Sequence, residues 1–407
     1  MTEQLIMFGK QKEYEIANEI YTAVKSGADF SAPLGKMLEI AEKHHIGSNV
    51  YKSFIAWLII NDENPYSLSC ELNAKETGGL YNFAKLDAHK LMLLFSLDFS
   101  SYSSFADSFN DFSYSNNFGC QNLNEIGELA GSLANRLDKC ENEDEFLNEI
   151  SAFYQKHGVG TFGLNKAFYV DTSDELKLIP ISDFDNATME DMWGYEYQKE
   201  QLCKNTEAFL NKKAANNVLL YGDSGTGKST SIKAILNEYH KDGLRMIEVY
   251  KHQFSYLPQI IEMLRTREYR FIIYMDDLSF EDFEIEYKYL KAIIEGGLAK
   301  KPDNVLIYAT SNRRHLIKES FSDRDSSDDK HGNDTVQEKL SLADRFGLSI
   351  GFYKPLQKEY FEIVKYLAKC NNLQIDEQQL IDGARAWGVK HGGISGRVAR
   401  QYINHLL

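Results

Sequence analysis

No CxxC pair, no histidine spacing typical of metal ligands and no apolar run long enough to cross a bilayer occur in this chain. The five cysteines, Cys70, Cys120, Cys140, Cys203 and Cys370, are odd in number and widely scattered. That argues against a disulfide framework and against structural zinc, leaving reduced thiols. The longest apolar stretches, 54–60 and 91–97, fall far short of a membrane helix. No basic segment followed by an apolar one opens the sequence, so a cleaved secretory leader is not expected. These absences predict a soluble, cytoplasmic protein without a membrane span.

What is present bounds the architecture. A length of 407 residues exceeds one ordinary domain, so two or three are expected. Hydrophobic residues at 43% and aromatics at 13% suffice for packed cores. The net charge of -15 speaks against a general polyanion binder. The excess acid falls before about residue 190 and the remainder sums close to zero, so two electrostatically different regions share one chain.

The first region, 1–190, reads as mainly helical. Tyr14, Ile16, Ile20, Tyr21 and Val24 share one helical face, and similar faces recur over 49–60, 80–97, 123–137 and 143–154. Residues 98–119 are rich in Ser, Asn and Phe without a period and read as a long surface loop. A β-like piece at 161–171 and an acidic, turn-rich stretch at 173–190 close the region. It contains no catalytic constellation.

From Trp193 the pattern changes to alternation. Strand-like runs at 217–221, 246–250, 271–275, 305–310 and 348–352 are mostly separated by helical stretches. This predicts a parallel five-stranded sheet flanked by helices. Three consecutive helices follow at 359–369, 377–387 and 396–406. The expected organisation is an acidic helical domain (1–190), an α/β core (191–354) and a helical lid (355–407).

Gly222-Asp223-Ser224-Gly225-Thr226-Gly227-Lys228-Ser229 is a full GxxxxGK[ST] motif, set between the apolar run 217–221 and a helix-compatible run that begins at Thr230. Strand, loop and helix in that order make it a phosphate-binding loop. The glycines allow backbone angles and close approach that a Cβ forbids. Successive amides then wrap the phosphates and the helix N-terminus adds a favourable dipole. Lys228 supplies a point charge toward the β and γ oxygens, and the Ser229 hydroxyl is a Mg²⁺ ligand. A second element, 271–277, is an apolar strand ending in two acids. Asp276 suits the metal and Asp277 the attacking water.

In this order of elements the chain resembles the AAA+ branch of the P-loop ATPases. The resemblance implies ATP and Mg²⁺ as ligands and places a sensor residue at Asn312 (or Thr310), after the run 305–310. It places an arginine finger at Arg345 within Asp344-Arg345-Phe346. A lid arginine falls at Arg397, with Arg400 as runner-up, and the segment Met192-Trp193-Gly194-Tyr195 lies where relatives cradle the adenine. More narrowly, NTEAFL, ANNVLLYG, DDLSFE, EKLSLADRFGL and SGRVARQ resemble a bacterial family of predicted ATPases without an assigned role, domain of unknown function 815. Where many AAA+ proteins carry glutamate, this chain has Asp277, which implies slow, switch-like hydrolysis.

Three uses of such a site are open at this level. One is an ATPase in a homo-oligomer, a ring or open assembly in which Arg345 completes a neighbour's site. A second is a nucleotide-gated adaptor with negligible hydrolysis, working on a protein client through its acidic first region. The third, a DNA-linked loader or remodeller, is disfavoured by charge. Lys212 and Lys213 read as solvated surface, and no appended basic module supports nucleic-acid binding. The acidic stretch 322–334 reads as a loop remote from catalysis.

Overall fold

The computed structural model describes residues 5–47, 49–72, 79–99, 102, 108–109, 111–114, 121–280, 284–295, 301–314, 316 and 342–407. The stretch 322–334 and most of 98–119 lie outside the described residues. Two compact units result, Met1–Lys166 with Pro180–Asp183, and Ala167–Ile179 with Phe184–Leu407.

The first unit is built from helices α1 (Glu13–Ser26), α2 (Ser31–Lys43), α3 (Val50–Asn61), α4 (Pro65–Glu71), α5 (Gly79–Phe95), α6 (Gln121–Leu137), α7 (Glu143–His157) and α8 (Gly160–Leu164). Helix α3 is buried on nearly every side from Val50 to Ile60. Its all-round apolarity makes it the centre of the unit rather than a surface helix. Helix α4 starts at a capping box. The Asn64 side chain accepts from the Tyr66 and Ser67 amides at 2.9 and 3.0 Å, and the Ser67 hydroxyl accepts from the Asn64 amide at 2.9 Å. The fully buried Asp87 carboxylate accepts from the amides of Ile6, Met7 and Phe8, tying the amino-terminal segment to α5.

In the second unit the strands are β1 (Ala167–Asp171), β2 (Lys177–Pro180), β3 (Val218–Gly222), β4 (Leu244–Glu248), β5 (Arg270–Met275), β6 (Val305–Ser311) and β7 (Leu348–Phe352). They form one sheet in the order β2-β1-β4-β5-β6-β3-β7, with every pair from β1 to β7 parallel. The five expected strands are present, but among the described residues the sheet has seven. The stretch 161–171 divides into α8 and β1, and β1 pairs with the distant β4. The sheet therefore begins at Ala167, ahead of the boundary at 191. Every residue of β5 and β6 is buried, as a strand covered on both faces requires.

Helices α9 (Glu196–Leu210), α10 (Lys228–Tyr239), α11 (Leu257–Arg265) and α12 (Ile285–Glu295) accompany the sheet. The lid follows as α13 (Gln357–Cys370), α14 (Glu377–Lys390) and α15 (Gly396–Leu406), closed around Tyr360, Val364, Ala384, Ala399 and Ile403. Because the strands run in one direction, the segments after β3, β5 and β6 emerge at the same sheet edge. That shared edge builds the site.

Candidate functional site

The loop after β3 has the backbone its glycines foretell. Gly222, Gly225 and Gly227 have φ of 128°, 77° and 98°. A Cβ on Gly222 would lie 2.0 Å from the Phe352 carbonyl oxygen, which accepts the Asp223 amide at 2.9 Å. Edge strand β7 thus presses on the loop so closely that only glycine fits. The Thr226 hydroxyl donates to the Asp223 carbonyl at 2.8 Å and closes the turn. Helix α10 begins at Lys228, so its unpaired amides face the loop.

Lys228 is only 6% exposed. Its ammonium donates to the carbonyls of Gly222 and Asp223 at 2.9 and 2.7 Å and to Asn312 Oδ1 at 3.1 Å. Burial pushes it below the ordinary lysine value, with Asp277, Asp223 and Asp276 opposing that. The Ser229 hydroxyl donates to Asp276 Oδ1 at 2.7 Å. The Thr310 hydroxyl donates to the same oxygen at 2.5 Å and accepts from the Asp277 amide at 2.9 Å. Burial alone would raise the Asp276 carboxyl, but hydrogen bonds led by that from Thr310 outweigh it and hold it below the usual carboxylate range. Asp277 sits at φ 49° in the left-handed region, as β5 turns out of the sheet. Its carboxylate accepts from Asn312 Nδ2 at 2.7 Å.

A cavity of about 480 Å³ opens over this network. Ser224–Thr230, Asp276, Asp277 and Asn312 line one side, and Arg397 enters from the lid. The Arg397 amide donates to the Gly225 carbonyl at 3.1 Å, docking the start of α15 on the loop. Tyr195 lines the cavity, and its ring stacks on Phe352 with centroids 5.2 Å apart. Gly194, Gly222 and Asp223 are not among the lining residues. The Asp223 carboxylate turns away instead and accepts from the Lys354 amide at 2.8 Å. Arg345 does not line the cavity either; it ion-pairs with Glu295 of α12.

Several lining residues escaped the sequence reading. Ile363, Tyr366 and Leu367 of α13 form an apolar wall with Asp191 beside it, next to the expected segment residues Met192 and Trp193. The Tyr366 hydroxyl donates to the Glu190 carbonyl at 2.8 Å, fastening lid to linker. The periodic apolar residues of α13 were visible, but they serve both a bundle core and a cavity wall, and spacing does not separate the two.

Ser229 and Asp276 offer adjacent hard oxygen donors, which fit Mg²⁺. Among the described residues no group of three or more His, Cys, Asp or Glu could hold a metal by itself. A cation here would complete its shell with water or with oxygens of a bound ligand.

The model of a family described as "Protein of unknown function (DUF815)" matches residues 164–407. The large subunit of replication factor C from Methanococcus vannielii is 30% identical over 79 residues, 19% of this chain and 16% of that protein. The chain thus matches only a small part of that curated relative. The Holliday junction branch migration motor RuvB of Thermotoga maritima is 16% identical, over 54% of this chain and 72% of that one, with a TM-score of 0.35. A variant of the same motor gives 16% identity, the same shares and a TM-score of 0.34.

Proposed function

The chain belongs to the family described as a protein of unknown function (DUF815), and from that premise we propose that it binds ATP with Mg²⁺ at residues 222–229. Slow hydrolysis to ADP and phosphate would drive a change of shape on a partner protein. The observation that carries this reading is one hydrogen-bonded chain, Lys228 to Asn312 to Asp277 and Thr310 to Asp276 to Ser229, lying beneath a lid-covered cavity.

The roles follow from position. Amides of residues 224–230 and the N-terminus of α10 cradle the phosphates, and Lys228 exchanges its loop carbonyls for phosphate oxygens. Ser229 and Asp276 hold Mg²⁺, which when bound neutralises charge on the β and γ oxygens. Asp277, held by Asn312, orients water for in-line attack. Arg397 reaches the phosphates from the lid. The linker containing Gly194 and Tyr195, with Trp193 and Tyr366, holds the base. Arg345 lies outside its own chain's cavity, which supports service to a neighbour in a homo-oligomer. A protein client attached through the helical unit suits the acidic composition better than nucleic acid does.

The test is steady-state phosphate release together with ATP binding. Lys228→Ala abolishes binding, whereas Asp277→Asn binds ATP and stalls turnover. Specific activity rises with protein concentration, and mixing Arg345→Ala with Asp277→Asn chains restores part of it. Undiminished turnover in Lys228→Ala and Asp277→Asn would remove the assignment. Tight ATP binding with flat, near-zero turnover would turn the reading toward a nucleotide-gated adaptor.

A further inference from the structure

At the opposite edge of the same sheet, where β5 and β6 begin, lies a second cavity of about 370 Å³. Its walls carry Lys212, Arg265, Arg267, Arg270 and Lys301 against only Glu268 and Asp303. Lys212 pairs with Glu268 and Arg265 with Glu262, both at 2.7 Å. Lys301 and Arg270 are bound differently. Lys301 donates to Asn217 Oδ1 at 2.7 Å, an oxygen that also accepts the Ile307 amide at 2.9 Å. Arg270 donates to the Asp303 main-chain carbonyl at 2.6 Å and lies 5.2 Å over the Phe209 ring.

Capping does not explain this cluster. The carbonyls of Leu264 and Arg267 at the end of α11 are already served by Asn304 Nδ2, at 2.8 and 3.0 Å. Desolvation lowers the affinity of Lys301 for its proton with no charge opposing it, and that of Arg270 against the pull of Glu268 and Asp303. A cation held away from water against a neutral amide costs stability, and a bound counter-charge removes that cost. The Lys212 that looks like plain solvated surface in the sequence stands at the rim of this recess.

We propose that the recess formed by Lys212, Arg270 and Lys301 binds a compact phosphate-type oxyanion, free phosphate or a small phosphomonoester, independently of the loop at 222–229. A recess at one sheet edge, rather than a stripe across a face, matches a small anion better than an extended nucleic-acid backbone. Lys301 provides the desolvated charge, Arg270 a planar fork of donors, and Lys212 an entry charge at the rim.

The experiment is thermal unfolding of the full chain carrying Lys228→Ala, which silences the phosphate loop. Sodium phosphate is titrated at constant ionic strength maintained with sodium chloride. A saturable rise in Tm is expected. Lys301→Met should shift it to phosphate concentrations roughly tenfold higher or more, while Lys301→Arg retains it. Should Lys301→Met fail to fold, the exposed-rim variant Lys212→Glu must weaken the same response. Phosphoserine should act as phosphate does. No phosphate-specific rise, an equal rise in Lys301→Met, or a response to duplex DNA without one to phosphate overturns the site.

Discussion

Asn312 donates its side-chain amide to the Asp277 carboxylate at 2.7 Å. The same side chain accepts from Lys228 through its carbonyl oxygen, so one amide spans the phosphate loop and the acid. Removing it leaves Asp277 unguided while the loop amides persist. Asn312→Ala should lower turnover by roughly two orders of magnitude, with a much smaller loss of ATP affinity. Parallel kinetics and calorimetry check this; equal losses in both would assign Asn312 to binding alone.

A second prediction concerns Thr310, whose hydroxyl touches both members of the acidic pair, the Asp276 carboxylate and the Asp277 amide. Thr310→Val keeps the volume and deletes the pin. The Mg²⁺ concentration for half-maximal turnover should rise and the maximal rate should fall, whereas Thr310→Ser stays near the parent. A magnesium titration of phosphate release decides it. An unchanged Mg²⁺ requirement in the valine variant would show that the carboxylates hold themselves.

Gly222 offers a test of the backbone argument. In Gly222→Ala the new Cβ meets the Phe352 carbonyl while φ stays in the left-handed region. A loss on the order of 1–3 kcal/mol is expected from the strain. Chemical denaturation of the full chain measures it. Gly243→Ala is the control, since its φ of 92° is also positive but nothing lies within 4 Å of a Cβ there.

The pH dependence of stability should carry a mark of Lys301. Burial pushes its ammonium down to about 8 from an ordinary value of 10.5. Between these values the unfolded chain holds a proton that the folded one has released, so stability rises with pH across that window. The contribution is on the order of 3 kcal/mol. Comparing denaturation at pH 8 and 10 for the parent and Lys301→Met isolates it. The variant should lose the rise, and identical slopes would refute the assignment.

Much of the site was legible because its signals are local. Gly222 to Ser229 declare a loop by residue type, and an apolar run ending in Asp276 and Asp277 declares where a buried strand must stop. The edge strand β7 was read with the same ends, Leu348–Phe352. What escaped depends on distant partners. Strand β2 is four residues long within an acidic turn region, and β1 finds β4 far along the chain. Asp223 belongs to the motif, but its carboxylate is claimed by Lys354, a contact that nothing near it in sequence announces. Tyr366 likewise follows a helical period whose bundle face and cavity face look alike in one dimension. Residue type announces chemistry at a loop; it does not announce which neighbour from another element will occupy a side chain.

The amide of Arg397 rests on the carbonyl of Gly225. A main-chain link thus joins the crest of the glycine turn to the first turn of α15, a helix packed into the lid bundle. A displacement of that turn would pass to the helix through one peptide group. A ligand seated beneath the bundle would therefore be expected to register in the tilt of its last helix.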